Sequence, residues 1–269
     1  MNLTRKIIVS LFLIFITLFK AQADSPRFSS LSQDDANKIA KEFSSNFVHT
    51  SLSPAGSLGA IFGFEVGVFA GATQTPELER VVKSVDATQE VDMIANAGVL
   101  GRVSVPYGIT FELSLLPETT FSDITIKNTS YAIQYTPSFL SFLPVKIAAK
   151  LHGSSSKLSF NQTIGSDANG KVTIDSTTLG LQFLVSANLL LFEPYAGIGF
   201  VDSDTDILTT AQGGGTIFAF SSAESFNSKN DGIHMLVGTE LNLLLFNIGV
   251  EYARVMDVSK YSAKLSLSF

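Results

Sequence analysis

The chain has 269 residues, of which 45% are hydrophobic, only 16% are charged and none is cysteine. The absence of cysteine excludes disulfides, thiol catalysis, cysteine metal sites and a lipid-modified cysteine. The formal net charge of −6 argues against a nucleic-acid partner. After residue 23 no apolar run approaches the ~20 residues of a membrane helix, so the hydrophobic residues are distributed in another way.

The first 23 residues have the organisation of an export signal. Arg5 and Lys6 precede an apolar run of 13 residues, which is too short to span a bilayer as a helix. The small-x-small sequence Ala-Gln-Ala follows and ends at Ala23. We predict a signal peptide over residues 1–23, cleaved between Ala23 and Asp24, with an uncleaved anchor as the alternative. Its removal takes away three basic residues and no acid, leaving 15 Lys and Arg against 24 Asp and Glu, a net charge of −9.

Residues 24–57 form an N-terminal segment in which we predict one helix, residues 32–47. Ser32 is suited to the N-cap, and Asp34 and Asp35 place acids in the first turn. Apolar residues then recur at helical spacing as far as Phe47. The sequence therefore indicates a short amphipathic helix ahead of the main domain.

From residue 58 onwards the apolar residues alternate with polar or small ones, as they do in strands with one apolar and one polar face. We predict ten strands in a domain covering residues 58–269. Only a closed barrel can use such strands in lipid, because open sheet edges leave backbone groups unsatisfied there. The connections alternate between long polar loops at 74–94, 165–170 and 202–230 and short turns at 106–108, 137–144, 187–190 and 241–244.

The last strand has the most regular alternation in the chain and ends on an aromatic residue, Phe269. It resembles the closing strand of bacterial outer-membrane β-barrels. This resemblance implies an all-β membrane protein, a closed antiparallel up-and-down barrel in the bacterial outer membrane with both termini on the periplasmic side. It also implies two partners, the outer-membrane lipid and the barrel-assembly machinery, which would recognise the terminal strand ending in Phe269.

The face of the strands predicted to line the lumen carries charges of both signs. Opposed unlike charges stabilise a sheet modestly, and an unpaired charge in a narrow lumen is costly. We interpret these residues as a lumen charge network that either neutralises a filled barrel or forms a constriction selecting solutes: Glu65, Arg102, Glu112, Lys150, Glu251 and Lys264.

Hairpin register predicts three contacts within this network. Reflection about Asp257-Val258 sets Glu251 opposite Lys264, and reflection about the turn at 106–108 sets Arg102 opposite Glu112. Closure of the barrel brings the last strand beside the first, so that Glu65 approaches Lys264 from the other side.

Glycines recur on the inward face of the first predicted strand, at Gly59, Gly63, Gly67 and Gly71. Glycine in a strand permits either curvature or close approach of another backbone. The second interpretation places the helix 32–47 inside the lumen against this stripe, as a plug. That architecture is similar to the hatch of fatty-acid transport barrels.

These features favour a narrow or helix-plugged pore or transporter for small or apolar solutes. The alternative is a structural or adhesive surface protein that acts through the loops at 74–94 and 202–230. Ten-stranded omptin proteases use Asp and His near the outer rim. The only histidines here are His49, His152 and His234, without a matching acidic pair, so we predict no enzyme. No metal-spaced cluster, phosphate-binding loop or cofactor motif is present in the sequence.

Overall fold

The computed structural model describes residues 32–59, 61–85, 87, 91–121, 124–137, 145–164, 168–214 and 219–269. The predicted signal peptide, its cleavage position and most of the aromatic turn at 137–144 lie outside these ranges. Neither helix in the described part of the chain is both long and apolar enough to cross a membrane.

Ten antiparallel strands form one closed barrel in which each strand pairs with its neighbours in sequence and β10 pairs with β1. This confirms the predicted fold class. The strands are β1 (Gly63–Gln74), β2 (Met93–Val105), β3 (Ile109–Phe121), β4 (Ile124–Tyr135), β5 (Lys146–Ile164), β6 (Ala168–Ser186), β7 (Phe192–Gly214), β8 (Ala219–Leu243), β9 (Phe246–Val255) and β10 (Val258–Ser268).

Among the residues that the structure describes, two α-helices accompany the barrel. Helix α1 (Gln33–Phe47) begins after Ser32, whose side chain accepts a hydrogen bond from the Asp35 amide, so the predicted N-cap is confirmed. Helix α2 (Pro76–Val85) lies in the connection between β1 and β2, where a helix is compatible with the long loop predicted at 74–94.

The two ends of the barrel differ. One end carries the turns β2–β3, β6–β7 and β8–β9, and we call it the short-turn rim. Between the ends, outward residues such as Phe64, Leu181 and Val237 are exposed and apolar, whereas inward residues such as Glu65 and Gln182 are buried and polar. An apolar exterior around a polar interior, on an even number of antiparallel strands, is the architecture of outer-membrane β-barrels.

Strands β5 to β8 are much longer than the others, at 19 to 25 residues against 10 to 13. They rise past the apolar belt as an extended wall, which we define as residues 155–164, 168–178, 202–214 and 219–231. The predicted loop at 202–230 was therefore wrong, since most of it is strand paired between β7 and β8.

Helix α1 packs against the inner face of the extended wall. Ala36, Ala40, Phe43 and Phe47 form one buried apolar cluster with residues of β5 to β8, namely Phe160, Val172, Ile174, Ile207 and Phe226. On its other side, Ile39 packs against α2 through a second cluster that contains Leu78, Val81 and Val82. Helix α1 is thus held between the wall and α2.

Candidate functional site

The lumen is occupied by the N-terminal segment of the chain itself. We call residues 33–59 the plug and its extended part, residues 48–59, the strap. Helix α1 lies at the end of the barrel opposite the short-turn rim, and the strap runs from it through the lumen to the start of β1. Residues 42–50 and 52–55 are all buried, so the chain fills the interior of the barrel.

Four of the predicted lumen charges form a chain of ion pairs that joins strands β1, β2, β3 and β5. Arg102 of β2 contacts Glu65 of β1 at 2.6 Å and Glu112 of β3 at 3.1 Å. Lys150 of β5 then contacts Glu112 at 3.2 Å. Arg102 and Glu112 are register partners, as hairpin reflection predicts. All four side chains are buried, so each charge depends on its partners for compensation.

Lys264 of β10 continues this chain across the closing seam of the barrel. Its ammonium group lies 2.6 Å from Glu65 and 2.6 Å from Glu240 of β8. Ser266 adds a hydrogen bond of 2.7 Å to the Glu65 carboxylate. The approach of Glu65 to Lys264 is present, while Glu240 is a member of the network that sequence analysis missed.

The predicted pairing of Glu251 with Lys264 was wrong. Met256 and Asp257 form the turn between β9 and β10, so the register sets Glu251 opposite Ser262. The Glu251 carboxylate instead accepts a hydrogen bond from the Tyr195 hydroxyl at 3.0 Å. The reflection was centred one position too late in the chain, which moved the partner by two residues.

Neutral groups of the strap accept hydrogen bonds from the lysines of this network. The Lys150 ammonium group donates to the Ser51 hydroxyl at 2.6 Å, and the Lys264 ammonium group donates to the Ser53 hydroxyl at 2.6 Å. His49 is the one titratable residue of the strap, and its Nε2 lies 2.8 Å from Glu112. No other strap residue carries an ionisable side chain.

Lys260 of β10 stabilises the carboxyl end of α1. Its ammonium group donates to the carbonyl oxygens of Asn46 at 2.9 Å and Val48 at 3.1 Å, and to the Thr50 hydroxyl at 2.6 Å. A cation at the carboxyl end of a helix compensates unpaired carbonyls and the negative end of the helix dipole. Helix α1 has no basic residue in its own last turn, so the barrel wall supplies one.

The three histidines of the chain lie together in the lumen, which sequence analysis missed because they are 82 or more positions apart. The His49 and His152 rings have centroids 6.2 Å apart, and those of His152 and His234 are 5.8 Å apart. Both ring nitrogens of His152 are buried without a hydrogen-bond partner. Its ring lies against Gly180, where a Cβ atom would come within 2.5 Å of Nε2. Among the described residues, no group of His, Asp or Glu has the geometry of a metal site.

The glycine stripe does not hold α1 as the plug interpretation expects. Gly59 precedes β1 and has a φ of +68°, so it belongs to the strap and not to the strand. Cβ atoms at Gly67 and Gly71 would first meet atoms of β10 and β2. The strap contacts one glycine of the stripe, where Leu58 covers Gly63, and one glycine outside it, where the Leu52 carbonyl lies 2.8 Å from the Cβ position of Gly249.

Glu42 joins the two helices at the end of the barrel opposite the short-turn rim. Its carboxylate accepts hydrogen bonds from the amides of Glu77 at 2.7 Å and Leu78 at 2.9 Å, in the first turn of α2. Burial raises the pKa of the Glu42 carboxyl, and the two amide hydrogen bonds oppose that change. A carboxylate at a helix N-terminus is favourable, so Glu42 fixes α2 over α1.

Several solved structures resemble this barrel. The translocator domain of the autotransporter NalP from Neisseria meningitidis is 10% identical, with 78% of this chain and 88% of that chain covered and a TM-score of 0.42. The outer membrane protease OmpT from Escherichia coli is 8% identical, with 80% and 100% covered and a TM-score of 0.44. A major outer membrane protein from Thermus thermophilus is 12% identical, with 78% and 100% covered and a TM-score of 0.37.

No curated protein matches the chain in sequence. Residues 55–269, which contain the lower strap and all ten strands, match the model of a family described as a family of unknown function (DUF6588). This match covers more than half of the chain, and the protein therefore belongs to that family.

Proposed function

We propose that the protein is a narrow channel of the bacterial outer membrane for small polar solutes, closed by its own plug. The observation that carries the proposal is the nearly uncharged strap inside a charged lumen. The ion pairs of Glu65, Arg102, Glu112, Lys150 and Lys264 join residues of the barrel wall to each other.

Displacement of the strap would leave this wall largely intact. The groups lost from Lys150 and Lys264 are serine hydroxyls, which water can replace at little cost. The exposed walls would then carry charges of both signs, which favours small polar solutes over the apolar solutes that the sequence also allowed. We infer a non-catalytic role, since His49 belongs to the strap and His152 and His234 are buried in the filled lumen.

A cross-link that fixes the plug tests the proposal. The Thr73 hydroxyl donates to the Asn46 side chain at 2.8 Å, and the chain has no cysteine of its own. We expect Asn46→Cys with Thr73→Cys to form one disulfide that holds the strap at its upper end, while β1 holds the lower end. In planar bilayers the oxidised variant should show no channel openings, the reduced variant brief ones, and a chain without residues 24–57 steady conductance.

Two results would contradict this proposal. A silent truncated barrel would mean that the lumen is filled even without the plug. Equal currents before and after oxidation of the cysteine pair would mean that solutes do not pass along the path of the strap. Each single-cysteine variant, Asn46→Cys or Thr73→Cys, serves as the matched control for the effect of the oxidant.

A second candidate function, adhesion at the cell surface, is favoured by the extended wall. Its outer face carries the exposed side chains of Asp202, Asp204 and Asp231 above the apolar belt. We expect the triple change of these residues to asparagine to weaken attachment of protein-bearing vesicles to cationic surfaces. Unchanged attachment would remove this candidate, and conductance of the same variant would show that the barrel is intact.

We also propose that β10 is the strand that the barrel-assembly machinery recognises, and that the signal peptide ends at Ala23. The backbone of Phe269 exchanges hydrogen bonds of 2.8 and 2.9 Å with Phe64, so the terminal residue takes part in closing the barrel. Deletion of Phe269 should lower the yield of membrane-inserted protein, and N-terminal sequencing of the inserted protein should begin at Asp24.

A further inference from the structure

The tips of the turns at the short-turn rim carry large apolar residues in an unfavourable backbone conformation. Each of the three turns described at this rim has one such residue with positive φ: Tyr107 at 72°, Leu190 at 65° and Leu244 at 60°. Their relative exposures are 85%, 92% and 99%. Nothing within the described part of the protein covers them.

Such positions are normally occupied by glycine, asparagine or aspartate. A residue with a Cβ atom is strained in the left-handed region, and full exposure of a leucine side chain to water is a second unfavourable contribution. Two separate penalties at the same three positions indicate that the side chains have a function. No described residue supplies a contact that offsets these penalties.

The surroundings of these tips are also apolar. The three described turns at this rim, 106–108, 187–191 and 244–245, contain no charged residue in the sequence. The nearest outward side chains on the strands are exposed and apolar, as at Phe192, Leu241 and Phe246. The lipid-facing belt therefore continues onto these turns. The exposed cation at this rim, Lys146 at the start of β5, is compensated by Glu193 at 3.4 Å.

The height of the belt gives the depth of the tips. Phe200 is the last outward apolar residue of β7 before Asp202, which pairs with Asp231 and marks the upper limit of the apolar belt. From Phe200 to Leu190 the chain covers ten residues, or about 25 Å at ~3.3 Å per residue and a tilt of ~40°. The apolar band of such barrels is itself about 25 Å tall, so the tips end where the hydrocarbon ends.

We propose that the turns of the short-turn rim are immersed in the acyl chains and glycerol region of the adjacent lipid leaflet. Tyr107, Leu190 and Leu244 would be anchors that contact lipid instead of water. The occupant is lipid, because the tips are continuous with the belt and lie at its depth. The mouth of the lumen at this rim then opens at the membrane surface and not above it.

Single-tryptophan reporters test this proposal, because the chain has no tryptophan of its own. Leu190→Trp, Leu244→Trp and Tyr107→Trp are placed separately in the full-length mature protein, which is refolded into phosphatidylcholine vesicles with acyl chains brominated near the glycerol. Leu181→Trp, on the belt, is the control for lipid contact. Thr177→Trp, on the exposed outer face of the extended wall, is the control for water contact.

We expect brominated lipid to remove most of the emission of the three turn reporters, as for Leu181→Trp, while aqueous iodide has little effect on them. Emission of Thr177→Trp should be lost to iodide and not to brominated lipid. The proposal is overturned if the turn reporters behave like Thr177→Trp, which would place the tips in water, free for a soluble partner. The three independent positions keep the test decisive if one variant does not refold.

Discussion

At the scale of single residues, the stability of this barrel depends on buried charged side chains that each take part in more than one ion pair. Lys264 is fully buried and contacts two carboxylates, Glu65 and Glu240. Glu65 retains Arg102 if Lys264 is removed, whereas Glu240 has no other cation within ion-pair distance among the described residues. Removal of Lys264 would therefore leave Glu240 without a cation, and not Glu251 as hairpin reflection suggested.

We expect Lys264→Ala to lower the free energy of unfolding by about 3–5 kcal/mol, the usual result of stranding one partner of a buried ion pair. The matched control is Lys38→Ala on the exposed face of α1, where the ion pair with Asp34 is open to solvent and its loss should not move the midpoint. Urea midpoints in detergent measure both. Adding Glu240→Gln to Lys264→Ala should recover part of the loss, and equal midpoints for the two lysine variants would contradict the network.

At the scale of elements, alternation predicted which strands exist and the tip at 165–170 between β5 and β6, but not how far β7 and β8 continue. Along β7 the odd-numbered residues face inwards, yet they change from polar, as at Glu193, to apolar, as at Ile207. The outward residues change in the opposite sense, from Phe200 to Asp202. At the level of the apolar belt, the outward residues face lipid. In the extended wall, the outward residues face water and the inward residues contact the apolar face of α1. The inversion looks like the end of a strand to any reading that expects one constant apolar face.

The contact between α1 and α2 is the element whose stability should depend on pH. Because burial raises the pKa of Glu42, the folded contact holds its proton more tightly than the unfolded chain does. The stabilisation is therefore complete below the ordinary pKa of glutamate and is lost as the pH rises through the raised value. Cleavage of α2 by a protease, corrected for protease activity, should increase from pH 5 to pH 8.

Glu42→Gln is the control for this pH dependence, because its amide oxygen can still accept a hydrogen bond from the first turn of α2 while the side chain no longer titrates. Its corrected cleavage rate should be the same at both pH values. A pH slope as large as that of the unaltered protein would mean that a group other than Glu42 controls the pH dependence of the contact.

At the scale of the whole molecule, the plug depends on the barrel for its position, whereas we expect the barrel to fold without the plug. The location of the helix inside the barrel could be proposed from the sequence. Its contact with the extended wall could not, since the inverted pattern hid the part of that wall formed by β7 and β8. The family match begins at Ala55 and so includes the barrel but not α1. The charges of the lumen network pair with each other. We therefore expect a chain without residues 24–57 to fold as a barrel with water in its lumen.

Water in the lumen changes the consequence of removing a lumen charge, and this provides the final prediction. In the full chain Lys264→Ala leaves Glu240 in a lumen filled by the strap, where the carboxylate cannot be hydrated. In the truncated chain the same carboxylate meets water, so the cost should fall from about 3–5 kcal/mol to below about 1 kcal/mol, the range of solvated ion pairs. Four urea midpoints, with and without the plug and with Lys264 or alanine, measure this coupling. Equal costs in the two backgrounds would show that the plug does not keep the lumen dry.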